Sequence, residues 1–214
     1  MGDDYLDIAA TPSVRAAQAA NGSRVISDGF SRNRQSRTFT PKEAAFIAAR
    51  DSFYLATVSE TGWPYVQHRG GPPGFLKVLD EHTLGFADFR GNRQYVSLGN
   101  AIANDRAALF LMDYPNRTRL KIYAHIAPHD LAAEPELAAK LVLPGYRGRP
   151  ERAMLLHLEA FAWNCSQHIT PRFTEAEIIG AIAPLRARLA TLETENQTLH
   201  ARLADMSDYQ ETER

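Results

Sequence analysis

Between residues 53 and 87 the chain leaves no room for a helix. FYLATV (53–58), YVQHR (65–69), FLKVLD (75–80) and HTLGFAD (82–88) follow one another, separated only by SETGWP, GGPPG and acidic punctuation. Short runs rich in β-branched and aromatic residues, bounded by Gly, Pro and Asp, read as strands. A doubly wound α/β fold needs strands and helices in alternation, and this stretch excludes it. Further on, AALFLMD (107–113), RLKIYAHIA (119–127) and RAMLLHLEAFAWN (152–164) have strand length and pattern. Many short strands with tight turns predict a mainly β, α+β architecture: an antiparallel barrel with helices outside it.

The helices announce themselves by their starts. Thr11-Pro12 opens an Ala-rich segment that Gly22 stops, and Thr40, Pro41 and Glu43 form a capping box whose helix runs to about Arg50. NRQYVSLGNAIAND (92–105) has a helical pattern with Tyr95, Leu98 and Ile102 on one face, and HDLAAEPELAAKLVL reads as a helix interrupted near Pro135. SDGFSRNRQSRT (27–38) reads as a polar connector. These signals divide the chain into a lead-in (1–40), a barrel domain (41–173) and a C-terminal segment (174–214).

That last segment is different in kind. Ile178, Ile182, Leu185, Leu189, Leu192, Asn196, Leu199, Leu203 and Met206 alternate spacings of four and three. With Ile182, Leu189, Asn196 and Leu203 at heptad position a, the other five fall at d. Leu at d with one Asn at a predicts a parallel two-stranded coiled coil, the Asn fixing register and strand number. The competing reading, a helix packed on its own domain, expects a wider apolar face than this stripe, which Arg186, Arg188, Glu193 and Glu195 crowd.

A formal net charge of −1 argues against a nucleic-acid coat or an anionic-membrane binder. The single cysteine, Cys165, excludes an intrachain disulfide, and no apolar run approaches the ~20 residues of a membrane span. MGDDYLD has no apolar leader, so a cytoplasmic protein is expected. The dinucleotide, P-loop, hydrolase-elbow and H-E-x-x-H signatures are absent. No metal site and no catalytic acid or base stands out.

FYLATVSETGWPYVQHRGGPPGFLKVLD, LGFADFRGNRQYVSLGNAIANDRAALFLMDYPNR and WNCSQHITPRF resemble the pyridoxamine 5′-phosphate oxidase-like superfamily of flavin-binding split barrels. The likeness covers about half the chain, and QHRGGPPGFLKVLD is its most specific part. It implies a six-stranded split β-barrel that dimerises and holds flavin mononucleotide (FMN) in a groove between subunits. It implies phosphate contacts from Arg69 and Lys77, which stand where the oxidases have an Arg and a Lys. The oxidases' Thr-Asn and Ser-x-Lys correspond here to Ala87-Asp88 and to Gly91-Asn92-Arg93-Gln94, so Ser and Lys are not kept. Trp163, Gln167, His168 and Arg172 are similar to elements that the oxidases contribute across the dimer. The oxidases' substrate-binding tail has no counterpart.

The residues make chemical sense beside the family. A flavin phosphate needs cationic and neutral donors, and Arg can hold two of its oxygens. On a strand Gln67 and Arg69 share a face and His68 points to the other. Gln67 can meet the polar edge of a flavin ring with donor and acceptor alike. The Gly-Pro corner is expected to fold two strands back so that Arg69 and Lys77 meet one phosphate. Arg69 and Lys77 as surface charges on an edge strand remain the competing reading. Three functions follow: an FMN-dependent oxidoreductase acting on a small substrate or a nicotinamide cofactor, a flavin carrier or sensor without turnover, and an interaction protein built around the coiled coil.

Overall fold

A computed structural model describes residues 5–23, 37–163 and 166–212, with side chains through residue 203. Most of the 27–38 connector, and Cys165, lie outside the described residues, as does the side chain of Met206. The chain divides into two compact units, residues 1–170 and 171–214.

The first unit is built on a single antiparallel sheet of seven strands: β1 (Ser52–Val58), β2 (Pro64–Gly70), β3 (Lys77–Val78), β4 (Thr83–Phe89), β5 (Arg106–Asp113), β6 (Thr118–His129) and β7 (Pro150–Trp163). Their order is β2-β1-β5-β6-β7-β4-β3. The inward set Phe53, Leu55, Leu84, Phe86, Leu109, Leu111, Leu120, Ile122, Ile126, Met154 and Leu156 forms one core. β1, β5 and β6 alternate buried and more exposed positions, as strands with one covered face do, whereas β4 is buried on both faces.

Two expectations are corrected here. The strands number seven, not six, because FLKVLD contributes a two-residue edge strand that pairs only with β4. Nor does the corner fold β2 back on β3. Consecutive in sequence, these two strands are the opposite edges of the sheet. The sheet therefore curls into a barrel that backbone hydrogen bonds do not close.

What spans the opening is the link 71–76, GPPGFL. The Phe75 N–H donates to the Pro72 carbonyl at 3.0 Å, and Gly74 has φ 81°. Pro at the second and Gly at the third position of such a bend make a type II turn, which requires positive φ at the third. The turn drops Phe75 and Leu76 into the core, where Phe75 stacks on Phe53 at 5.6 Å. A Cβ on Gly71 would stand 2.7 Å from the Phe75 ring. Gly71→Ala is therefore expected to lower stability by ~1–3 kcal/mol, because overpacking must push a buried ring off its rotamer. Chemical denaturation with an unchanged m-value checks it.

The helices lie outside the sheet: α1 (Tyr5–Ala9), α2 (Pro12–Ala20), α3 (Pro41–Ala48), α4 (Val96–Ala103) and α5 (Pro135–Leu141). α3 carries the expected capping box, with Thr40 and Glu43 bonded reciprocally. Pro135 does not interrupt α5 but starts it, as its missing N–H permits at a first helical position. α4 reverses the expected face. Ser97, Asn100 and Ala101 are buried, while Ile102 is 71% exposed. The reason is polar: the Asn100 side chain donates to the buried Thr57 hydroxyl at 3.0 Å, and a buried hydroxyl left unpaired costs more than an exposed Ile.

The second unit is a single helix, α6 (Glu175–Thr212), 38 residues and ~57 Å long at 1.5 Å per residue. Thr174 and Glu177 cap it reciprocally, and Pro184 lies inside it.

Candidate functional site

The open seam of the barrel holds the polar cluster. Register sets which side chains enter it. Tyr65, Gln67 and Arg69 pair with Thr57, Leu55 and Phe53, so they share the inward face. Val66 and His68 point outward, and His68 packs edge-on against Tyr54 at 5.6 Å. Arg69 reaches across to β4, where its Nη1 donates to Asp88 Oδ1 at 2.6 Å. The guanidinium also lies 5.9 Å from the Phe86 ring. An ion pair thus bridges two strands that share no backbone ladder.

Asp88 is 93% buried, since only 7% of it is exposed. Burial pushes its carboxyl above the usual carboxylate range, an effect that Arg69 and then Arg152 partly offset. Arg152 Nε stands 3.7 Å from Asp88 Oδ2, beyond hydrogen-bond reach, and Arg152 Nη2 bonds Glu151 at 3.1 Å.

Above this pair the chain turns sharply into α4. Arg93 (φ 62°) and Tyr95 (φ 52°) both sit in the left-handed region, unusual for residues with a Cβ. The Asn92 side chain accepts from the Gln94 N–H at 3.1 Å, and the Tyr95 hydroxyl donates to Glu151 at 3.2 Å. α4 has no side-chain cap at Tyr95, so its first N–H groups are left for another acceptor. The strained turn, the uncapped helix start and the β2 face enclose a cleft of about 190 Å³. Tyr65, Gln67, Arg69, Asp88, Asn92, Arg93, Gln94, Ser97 and Glu151 are among its walls. A larger hollow of about 540 Å³ shares Gln67, Arg69 and Asp88 and adds His68, Arg90, Arg147 and Arg149.

Two atoms in the cleft wall carry most information. Among the described residues, the buried Nε of Arg69 and the buried Oγ of Ser97 have no hydrogen-bond partner. Buried polar groups are rarely left so, and both line the same cleft. An acceptor-rich group entering there would satisfy a guanidinium, a hydroxyl and the helix N-terminus together.

The structure thus gathers Gln67, Arg69, Asp88, Asn92, Arg93 and Gln94 around one cleft, with His68 on the rim of the adjoining hollow. It does not bring Lys77 to them. Lys77 pairs with Gly85 on the face of β4 that packs against Leu79, Leu141 and Leu155, opposite the face of Phe86 and Asp88. Trp163 is engaged elsewhere: its indole N–H donates to Glu43 at 2.8 Å and its ring meets Phe46 edge-on at 4.8 Å. Gln167 and His168 are exposed, His168 with φ 61°. Arg172 belongs to the second unit and is exposed. Ser97, Tyr65 and Glu151 are among the wall residues that sequence reasoning missed. The signal for Ser97 was available: a Ser and an Asn three apart make a polar stripe on α4. Among the described residues no His, Cys, Asp and Glu cluster suits a metal ion, and no helix is long and apolar enough to cross a membrane.

Comparison with solved structures gives likenesses of low identity. HupZ of Group A Streptococcus is 14% identical, covering 63% of this chain and 99% of its own, with a TM-score of 0.46. An FMN-binding protein of Syntrophomonas wolfei is 14% identical over 72% and 95%, with a TM-score of 0.44. An FAD-binding protein of Mesorhizobium loti is 14% identical over 61% and 97%, with a TM-score of 0.39. Comparison with curated proteins gave no match. The sequence profile described as pyridoxamine 5′-phosphate oxidase, however, matches residues 39–156, from just before α3 through the first half of β7, including the strand residues that line the cleft. By that match, over more than half its length, the chain belongs to the pyridoxamine 5′-phosphate oxidase family.

Proposed function

We propose that the protein is a homodimeric FMN-binding flavoprotein and an oxidoreductase acting on a small substrate or a nicotinamide cofactor. The observation that carries this reading is the cleft with two unpartnered buried donors, Arg69 Nε and Ser97 Oγ, beside the uncapped start of α4. These donors fit a phosphate monoester, which offers strong acceptor oxygens and close to two negative charges. Arg69 and Ser97 would hold it, Arg93 and the α4 N–H groups would add charge and donors, and Gln67 would meet the polar edge of the ring system. The oxidase family's Ser-x-Lys is missing at 91–94, and Ser97 supplies a hydroxyl from the first turn of the helix instead. Bound flavin would supply the hydride or electron transfer, and the protein would bind and orient it. Trp163, Gln167, His168 and Arg172 belong to this reading as residues contributed across the dimer.

The absorption spectrum of the purified protein tests it. A yellow preparation, or one that gains a flavin spectrum and a higher melting temperature with added FMN, is expected. A colourless protein with no FMN-induced thermal shift overturns it. Bleaching of the bound flavin by NADPH favours the enzyme over a carrier or sensor.

The helix α6 supports a second contact between protomers, a parallel two-stranded coiled coil. Its seam residues Leu185, Leu189, Leu199 and Leu203 are all more than half exposed, a costly arrangement for a helix meant to stand alone. Asn196→Ile is expected to raise the melting temperature of the helix while broadening its oligomer distribution, because the buried Asn pair trades stability for strand number. Sedimentation velocity on the full chain checks this, and an unchanged distribution and melting temperature would remove Asn196 from any seam.

A further inference from the structure

A carboxylate is an odd neighbour for a phosphate, and Asp88 is placed where it cannot be ignored. It is 93% buried, it bonds the guanidinium whose buried Nε has no partner, and it lines both the cleft and the adjoining hollow. We infer that the cleft takes a phosphate monoester together with one proton, held on Asp88 Oδ2. This rests on the proposed flavin phosphate site and adds a binding stoichiometry that the reading does not require.

The argument is one of like charges at short range. Asp88 Oδ1 is committed to Arg69 Nη1 at 2.6 Å. Its other oxygen, Oδ2, has Arg152 Nε as its cation at 3.7 Å, too far for a hydrogen bond. A phosphate that reaches the unpartnered Arg69 Nε and Ser97 Oγ arrives beside a buried carboxylate. Two anions sharing one desolvated site do not both remain ionised, and the carboxyl is the group already disposed to protonate, burial having raised it. Once protonated, Oδ2 can donate to a phosphate oxygen, so that repulsion becomes a hydrogen bond.

The other charged groups do not remove the conflict. From β7, Arg152 approaches Asp88, but it bonds Glu151, whose own charge acts against a second anion. Arg90 also faces Glu151, at 3.8 Å. Arg93 lies on the exposed turn before α4, and His68, Arg147 and Arg149 are at the exposed rim of the hollow. Solvent screens these rim charges, which raise the local concentration of anions more than they neutralise a buried group.

Linkage gives the sign. If the bound state holds one more proton than the free state, affinity falls as pH rises, by up to tenfold per pH unit. The ligand's own ionisation works the opposite way, since a phosphate monoester becomes a full dianion as pH rises past ~6. Weakening between pH 7 and 8.5 therefore marks a proton held in the complex that the free species lack.

The experiment measures FMN and riboflavin affinity by flavin fluorescence from pH 6 to 8.5 on the full chain. Calorimetry in two buffers of different ionisation enthalpy counts protons taken up. The expected result is FMN binding that weakens several-fold to tenfold per unit above pH 7, uptake approaching one proton per FMN, and riboflavin binding that is flat with pH. Asp88→Asn should flatten the FMN profile and bind FMN more tightly than the wild type at pH 8.5. A variant that folds and binds FMN with the wild-type slope overturns the assignment to Asp88. The calorimetric count needs no variant: FMN binding that is flat with pH and without proton uptake overturns the inference while leaving the flavin reading intact. Binding of neither flavin at any pH overturns both.

Discussion

Replacing Arg69 with Met is expected to weaken FMN binding by roughly 100-fold, since truncating one member of a buried charge contact costs ~2–5 kcal/mol of binding. Arg69 supplies the unpartnered Nε of the cleft, and it alone of the cleft's arginines is anchored on a strand edge and fixed by an ion pair. The same change leaves the Asp88 carboxylate with only Arg152, at 3.7 Å. Stability should fall as well, by ~1–3 kcal/mol, the range for a buried polar group that loses its partner. The two effects separate by experiment. Arg69→Lys keeps a positive charge that can still meet Asp88, so it should recover most of the melting temperature. It lacks the planar fork, so it should recover little affinity. Equal FMN affinity in wild type and Arg69→Met, by fluorescence titration, would remove Arg69 from the site.

The second large effect lies away from the cleft. Trp163→Ala is expected to cost ~3–5 kcal/mol, the usual range for deleting a large aromatic from a packed site. Its ring meets Phe46 edge-on, lies under the Lys42 ammonium at 4.9 Å, and its N–H satisfies Glu43. That contact ties the end of β7 to the first turn of α3. Burial alone would raise the Glu43 carboxyl, but hydrogen bonds from Thr40 and then Trp163 outweigh it and hold the group below the ordinary glutamate range. A depressed carboxyl contributes stability above its unfolded value and loses it as pH falls through its folded value. Trp163→Phe keeps an aromatic ring, though a smaller one, and removes the donor, so it should destabilise near neutral pH and make the acid limb of the stability curve shallower. Urea titrations from pH 3 to 7 read both. Loss of FMN binding by a stably folded Trp163→Phe would favour the cross-dimer role; retention would make Trp163 a structural residue.

The strands were legible because their pattern is local: alternation and turn residues lie within a few positions of each other. The capping box of α3 was legible for the same reason. What escaped depends on partners far along the chain. The α4 face was misjudged because Asn100 answers to Thr57, 43 residues away. Lys77 was drawn to the wrong partner because GGPPGFL looks like a hairpin turn when read alone. It is a link between opposite sheet edges, and only the register of β3 on β4 shows which way Lys77 points. Gln67 and Arg69 were placed on one face by strand parity alone, and the register agrees. Ser97 lies in the first turn of α4, just beyond the 91–94 positions that correspond to the family's Ser-x-Lys, and only the fold turns its hydroxyl to the interior.

The link 71–76 has a further meaning for the integrity of the molecule. A sheet with two bare edges invites other chains to add strands. Here both edges belong to neighbouring stretches of one chain, tied together by six residues whose Phe75 and Leu76 are buried in the core. The ring is closed by covalent bonds where hydrogen bonds fail. A protease nick or a new terminus placed within 71–76 would leave every strand ladder intact. It would still uncouple Arg69 from Asp88 and bare two edges at once, so solubility and ligand capture would be lost through the same cut.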